Sequence, residues 1–386
     1  MATLARARDI LAELVGFPTI SADSNLELIA YASALMSEVG ARISIMRDES
    51  GTKANLFATL GPEGDGGIVL SGHSDVVPVV GQNWSSDPFV LREADGRLYG
   101  RGTCDMKGFI ACCLAKAPDF TALDLKRPLH FAFTYDEEVG CLGARTLVSE
   151  LERMDLRPSA AIIGEPTLMR IIEGHKGCYE YTTEFRGRAG HASDPDRGVN
   201  AIEYAVRYIS RLMALSEELK ERAPKSNRFS PPWTTLQVGR FDGGSARNVI
   251  ASHASVEWEM RPVADADAAF VKNNIKAYVD EVLRPAMQAV HADADIVTHV
   301  IGEVEGLEPA AQSEARRIVS ELTGLSEAEV VAFGTEAGLF QTAGISAVIC
   351  GPGSIEQAHK PDEFISLEQL EACLGMLDRL SDQLVR

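Results

Sequence analysis

The sequence has no excess of basic residues, no long apolar run and no paired-cysteine motif. Lys and Arg together number 37 against 56 Asp and Glu, a formal net charge of −19. That balance excludes the electrostatic attraction on which nucleic acids and anionic membrane surfaces depend, and says little about a small substrate. No uninterrupted apolar stretch approaches the roughly 18 residues of a membrane span. The seven cysteines are an odd number, mostly in apolar surroundings and with no CxxC pair. They exclude a disulfide framework and a thiolate zinc site, and fit buried thiols in a reducing cytoplasm. The opening residues, MATLARARDILAELVGF, carry acids and no small-residue cleavage site. Their spacing (Leu4, Ile10, Leu11, Leu14) predicts an amphipathic helix, not a signal peptide.

What is present fits a soluble globular chain, with 45% hydrophobic and 24% charged residues. A length of 386 residues is too great for one ordinary core, so two domains are expected. Helices are predicted over about 4–15 and from Leu26 to Val39, the second capped by Ser24 or Asn25 and stopped by Gly40. ARISIMRD and ANLFATLG alternate as strands. GGIVLSG is a short apolar strand, and READGRLYG a hairpin around Asp95-Gly96. GRGTCDMKGFIACCLAKA runs from loop into a helix starting near Met106. RPLHFAFTYDEE is a strand, Cys141–Met154 a helix, and SAAIIGEPT another strand. This alternation indicates a mixed, mainly parallel sheet flanked by helices. After Gly177 the pattern changes to β-α-β-β-α-β, an inserted α+β domain of ferredoxin-like order with helices on one face. The expected division is 1–176 with 304–386 for the first domain and 177–303 for the insert. The first domain resumes with a helix over Ala310–Leu322, the strand AVICGPG, a loop with His359, and a last helix from Leu367.

The chemistry gathers at strand ends, where ligands bind in open α/β sheets. Phe131–Gly140, FAFTYDEEVG, ends an apolar strand on three adjacent acids, Asp136, Glu137 and Glu138. Adjacent acids repel, so a folded site there needs a cation or hydrogen-bond donors. Four more candidate ligands sit at such ends: His73 after GGIVLSG, Asp105 in a Gly-rich loop, Glu165 after SAAIIG, and His359 beyond AVICGPG. Asp105 could equally be a helix N-cap, and Glu165 a plain loop acid. Histidine with carboxylate and no thiolate suits zinc, cobalt or manganese. Two histidines and three carboxylates exceed the needs of one catalytic zinc. They fit two ions about 3.5–4 Å apart sharing a carboxylate. Asp75, two residues after His73, could fix the imidazole tautomer. Of Glu137 and Glu138, one could bind metal while the other carries a proton.

SGHSDVVP, GRGTCDMKG, DEEVGCLGAR, GEPT and QAHKPDEF, in this order and spacing, resemble the dinuclear zinc deacetylase and carboxypeptidase family of aminoacylase-like metallopeptidases. The resemblance covers nearly the whole chain. GPGSIEQAHKPDEF with FGTEAGLF is most similar to its acetylornithine deacetylase branch. The resemblance implies two Zn2+ ions, for which Co2+ or Mn2+ could substitute. His73, Asp105 and Glu165 would hold one and Asp105, Glu138 and His359 the other, with Asp105 bridging. Glu137 would be general base and acid, and Asp75 would orient His73. A cis peptide after Asp105 is implied. In GRAGHAS, His191 reads on its own as a surface turn histidine. The resemblance implies that it reaches the active site of a second subunit, making the insert a lid and homodimerisation domain. Asn248, Arg261, the loop at Gly334 and Glu336 match substrate-contacting positions, Glu336 toward the substrate amine. On their own, Arg261 reads as an edge-strand surface charge and Glu336 as a helix-start acid. The implied activity is removal of acetate from N-acetyl-L-ornithine, a step of arginine biosynthesis, by a water bridging two zinc ions. Succinyl-diaminopimelate desuccinylase, a broader N-acyl amino acid amidohydrolase and an inactive metal-dependent binding protein are the alternatives.

Overall fold

In a computed structural model describing residues 2–385, the chain divides into two compact units. The first runs to Gly174 and resumes over Pro309–Val330 and from Thr335. The second is His175–Glu308 with Val331–Gly334.

Two helices, α1 (Ala2–Gly16) and α2 (Leu26–Glu38), precede β1 (Arg42–Arg47), β2 (Ala54–Leu60) and β3 (Ile68–His73). The hairpin β4 (Arg92–Ala94) and β5 (Arg97–Tyr99) follows, then α3 (Gly108–Thr121), β6 (Leu129–Thr134), α4 (Leu142–Arg153), β7 (Ala160–Pro166) and β8 (Ile171–His175). The second unit holds β9 (Cys178–Arg186), α5 (Ala201–Arg222), β10 (Thr235–Gly243), β11 (His253–Arg261), α6 (Asp265–Tyr278), α7 (Arg284–Gln288) and β12 (Asp295–Val304). The chain then forms α8 (Glu314–Thr323), β13 (Ala328–Val331), α9 (Ala337–Thr342), β14 (Ser346–Gly351), β15 (Phe364–Ser366) and α10 (Leu367–Leu384).

The large sheet has the order β1-β2-β6-β3-β7-β14-β8-β13. Its centre, β6-β3-β7-β14, is parallel, while β1-β2, β2-β6 and β14-β8 are antiparallel. The parallel core explains why these strands read as continuous apolar runs: both faces are covered. It also sets the site, because parallel neighbours end on one side. His73 pairs with Thr134 in register, and Gly351 with Pro166. Beneath the sheet, α3 is buried along nearly its whole circumference and packs on α1 and α10. Phe109, Phe120, Phe131 and Phe133 are fully buried in this core, each worth about 1.5–3 kcal/mol relative to exposure.

The second unit is a four-stranded antiparallel sheet, β10-β11-β9-β12. The period-two burial of β9 and β11 turns Tyr181, Phe185, Val256 and Trp258 inward with Tyr208 of α5 and Val271 of α6. Arg261 ends β11, an interior strand, which rules out the edge-strand reading of that residue.

Three details depart from the sequence expectation. The helix expected near Met106 starts at Gly108, because Thr103–Lys107 forms a π turn in which Asp105 and Met106 leave helical geometry (φ/ψ −122/91° and −136/33°). Asp105 is therefore no helix cap, and the Asp105–Met106 peptide is cis, as the resemblance implied. The helix expected from Ala310 starts at Glu314, where the Ser313 hydroxyl accepts the Arg316 N–H at 3.1 Å. Asn25 precedes α2 without capping it. Its amide spans Ala54 and Ser74 instead.

Candidate metal centre

His73 is the last residue of β3 and is buried. Its Nδ1 lies 2.9 Å from the Asp75 backbone carbonyl, nearer than the 3.5 Å to the Asp75 carboxylate. With Nδ1 at the carbonyl, Nε2 is the ring nitrogen that faces the site. Nε2 lies 3.0 Å from Asp105 Oδ1 and 3.8 Å from Glu165 Oε1. From the other side, His359 Nε2 lies 3.3 Å from Asp105 Oδ2 and 3.1 Å from Glu138 Oε2. The two oxygens of one buried carboxylate thus face two imidazoles brought from residues 73 and 359. Ligand atoms of His73, Asp105 and Glu138, and of His73, Glu137 and Glu165, lie within 4.8 Å of one another.

Carboxylates dominate the electrostatics of the site. Burial lifts the Glu137 carboxyl well above its ordinary range. Glu138 and Asp105 add to the rise, while His73 opposes it. Glu165 and Glu138 are raised for the same first reason, with Asp105 as like-charged neighbour. For Asp105, burial is outweighed by hydrogen bonds from His359 and His73, which hold it well below the carboxylate range. Those same contacts with Asp105 and Glu138 raise His359 to about 10. Glu165 Oε1 is buried with no hydrogen-bond partner. An orphaned carboxylate oxygen, four clustered acids and two imidazole nitrogens, without thiolate, fit divalent cations of the zinc, cobalt or manganese kind. Carboxylates packed this closely need such charge.

Asp75 holds the acidic turn. Its carboxylate accepts the backbone N–H of Glu137 at 3.0 Å and of Glu138 at 3.3 Å, and the Ser21 hydroxyl at 2.7 Å. Asp136 reads from the sequence as part of the turn and nothing more. It takes a left-handed conformation (φ 52°) and pairs with Lys53 at 2.5 Å. Lys53 also donates to the Ser21 carbonyl. The sequence offered Glu336 as a contact for a substrate amine. The structure gives both of its oxygens to buried hydroxyls, Ser71 at 2.5 Å and Thr134 at 2.8 Å. It lies 1% exposed beneath the ends of β3 and β6.

His191, Asn248, Arg261 and Gly334 belong to the second unit. His191 bridges to Val249, and the Ala192 N–H donates to the Asn248 carbonyl at 3.2 Å, so two segments far apart in sequence are neighbours. The His191 side chain is exposed, with Nδ1 2.7 Å from the Ser193 hydroxyl. Arg261 is held by Glu259 at 2.9 Å. Gly334 packs against Cys178. Reading the sequence missed Lys53, Ser21, Arg101, Gln82 and Glu363, all of which support the site. Only Arg101 and Glu363 had a signal, standing inside the motifs GRGTCDMKG and QAHKPDEF.

A model of peptidase family M20/M25/M40 matches residues 69–383. The chain is 35% identical over 382 residues to an acetylornithine deacetylase of Pasteurella multocida (strain Pm70), covering 96% of each. It is 36% identical over 365 residues to that of Shigella sonnei (strain Ss046), covering 92% of each. In fold it is similar to a tripeptidase from Staphylococcus aureus, with TM-score 0.72 at 22% identity over 99% of each chain. It is also similar to a metallo-carboxypeptidase from Sulfolobus solfataricus, with TM-score 0.73 at 17% identity over 98% of this chain and 99% of that one.

Proposed function

The chain belongs to peptidase family M20/M25/M40 and is a metal-dependent hydrolase; from that premise we propose that it removes the acetyl group of N-acetyl-L-ornithine. The observation that carries the chemistry is Asp105, whose two oxygens each face a histidine. The near full-length likeness to two acetylornithine deacetylases supports the substrate.

His73, Asp105 and Glu165 would hold one ion and Asp105, Glu138 and His359 a second. The bound ions supply positive charge that polarises the amide carbonyl and makes water acidic enough to deprotonate near neutral pH. Glu137 takes the proton from the attacking water and delivers it to the leaving amine, a role suited to a carboxylate whose pKa burial has raised. Asp75 keeps Glu137 and Glu138 apart by their backbones, so that one carboxylate can bind while the other moves a proton. His191 donates to the oxygen on which charge develops, from the second subunit of a homodimer joined through the inserted unit. Arg261 and Asn248 hold the amino-acid end, the guanidinium fork matching an α-carboxylate. The Gly334 loop lines the substrate. Glu336 is a support for β3 and β6, not a substrate contact. Among the described residues no helix is long and apolar enough to cross a membrane. Six of the seven cysteines are buried thiols, in keeping with a reducing cytoplasm.

The test is hydrolysis by zinc- and cobalt-loaded protein of N-acetyl-L-ornithine, N-succinyl-diaminopimelate and a panel of other N-acyl amino acids, side by side. Acetylornithine should give the highest kcat/KM. A preference for the succinyl substrate would move the assignment to desuccinylase, and no hydrolysis of any would sink it.

A further inference from the structure

The single π turn that carries Asp105 is irregular. Gly102 is left-handed (φ 80°), and Asp105 and Met106 depart from helical geometry. A carboxylate outside the set of metal ligands holds it: Glu363, 1% exposed, from the turn just beyond His359. Glu363 Oε1 accepts the N–H groups of Cys104 at 2.8 Å and Asp105 at 3.1 Å. Oε2 accepts the N–H of Gly102 at 3.0 Å and Arg101 Nη1 at 2.8 Å. Every backbone donor named here lies on the loop of the shared ligand.

The same network reaches the other ligand loop. Arg101 Nη1 donates to the Lys360 carbonyl at 3.3 Å, and Nη2 to Gln82 Oε1 at 2.5 Å. The Gln82 amide in turn donates to the His359 carbonyl at 2.9 Å. His359 itself is left-handed (φ 62°) and half-exposed, so its own packing does not fix it. A buried Arg–Glu pair gains little stability over an apolar pair, because desolvation offsets attraction. What this pair does provide is a fixed distance between the loops of Asp105 and His359.

We propose that Glu363 is a positioning residue for the metal centre. Through Arg101 and Gln82 its carboxylate joins the loops of Asp105 and His359 into one piece, and so sets the affinity of the ion those two residues share. The inference rests on the metal-binding reading above. Glu363→Gln tests it at constant shape. A carboxylate has acceptors for four N–H donors, whereas the amide turns its own NH2 toward two of them.

The measurement is chelator-competition titration of zinc into wild type, E363Q and Q82A, with melting of each metal-free protein recorded beside it. In E363Q one of the two ions should bind about 10- to 100-fold less tightly, the usual effect of removing a hydrogen-bond partner behind a ligand. Q82A, which leaves the buried carboxylate untouched, should lose about tenfold. Two ions held as tightly in E363Q as in wild type would overturn this inference alone, as would a lowered melting temperature with unchanged affinity. Should E363Q not fold, wild-type affinity in Q82A overturns it. A wild-type chain that takes up no zinc would overturn the metal-binding reading as well.

Discussion

The carboxylate of Asp75 grips the backbone, not the side chain, of Glu137. Oδ1 accepts the Glu137 N–H at 3.0 Å, and Oδ2 takes the Glu138 N–H at 3.3 Å. Burial would raise its pKa, but the nearby His73 imidazole, the Ser21 hydroxyl and this backbone outweigh it and keep the pKa low. The carboxylate therefore sets where two acids stand, while the backbone carbonyl of the same residue takes the His73 Nδ1. Asp75→Asn keeps the size but points an NH2 at one of these donors. We expect kcat to fall about 10²-fold with KM little changed, since small misplacement of reacting groups costs that much. Steady-state kinetics at saturating zinc checks it, and an unchanged kcat would remove Asp75 from the positioning of the turn.

Glu137→Gln separates the two duties that its surroundings allow. Its carboxylate lies near both His73 and Glu165, so it could be a ligand as well as a proton carrier. As a proton carrier its loss should lower kcat about 10²- to 10⁴-fold while elemental analysis still finds two ions per chain. Loss of an ion together with activity would make it a ligand.

The parallel core and the ends of β3, β6 and β7 were legible because apolar runs terminating in His73, Asp136–Glu138 and Glu165 signal both strand and site. The insert was legible from a switch to period-two alternation. The supports were not. Lys53 meets Asp136 across 83 positions, and Glu336 meets Ser71 across 265. No local pattern encodes such partners. Glu336 does stand at the start of α9, as its helix-start reading has it, but nothing in FGTEAGLF says that two hydroxyls from other strands meet its carboxylate. The helix start after Asp105 was misplaced for a related reason: the Asp105 loop is held by Glu363, far along the chain.

Glu336 makes a stability prediction that a substrate contact would not. Its two oxygens are the acceptors for the buried Ser71 and Thr134 hydroxyls. Glu336→Ala strands the Thr134 hydroxyl, leaves Ser71 only the Ala132 carbonyl at 3.5 Å, and should destabilise the protein by about 2–4 kcal/mol. Glu336→Gln can still meet hydroxyls, which donate and accept, and should stay within about 1 kcal/mol of wild type. Urea unfolding compares them, and equal stability of the alanine variant would contradict the supporting role.

If His191 serves the neighbouring subunit, two dead variants should rescue each other. Chains carrying His191→Ala and chains carrying Glu137→Gln, unfolded together and refolded at equal amounts, pair at random. Only the site that joins an intact Glu137 to a partner's intact His191 works, which gives about a quarter of wild-type activity in a twofold dimer. Activity no higher than the sum of the separate variants would place His191 in its own subunit's site or outside the chemistry.

His130 predicts how the fold responds to acid. It sits on β6, stacked on Phe57 at 4.9 Å between ring centroids, with Nδ1 2.9 Å from the Thr59 hydroxyl. Nε2 is buried without a hydrogen-bond partner. Burial, with Arg42 nearby, pulls its pKa down to about 4. In the unfolded chain the imidazole titrates near about 6.5. Between these values the unfolded chain binds a proton that the folded chain refuses, so stability rises with pH across the interval. The contribution is complete above about 6.5 and is lost as pH falls through about 4. The interval corresponds to about 3 kcal/mol for one group. His130→Gln removes this proton and leaves every other titrating group, the metal ligands included, as it was. The difference in urea-unfolding free energy between wild type and variant should therefore shift against wild type between pH 7 and pH 4.5. A difference that does not change with pH would mean that the buried imidazole accepts its proton without unfolding.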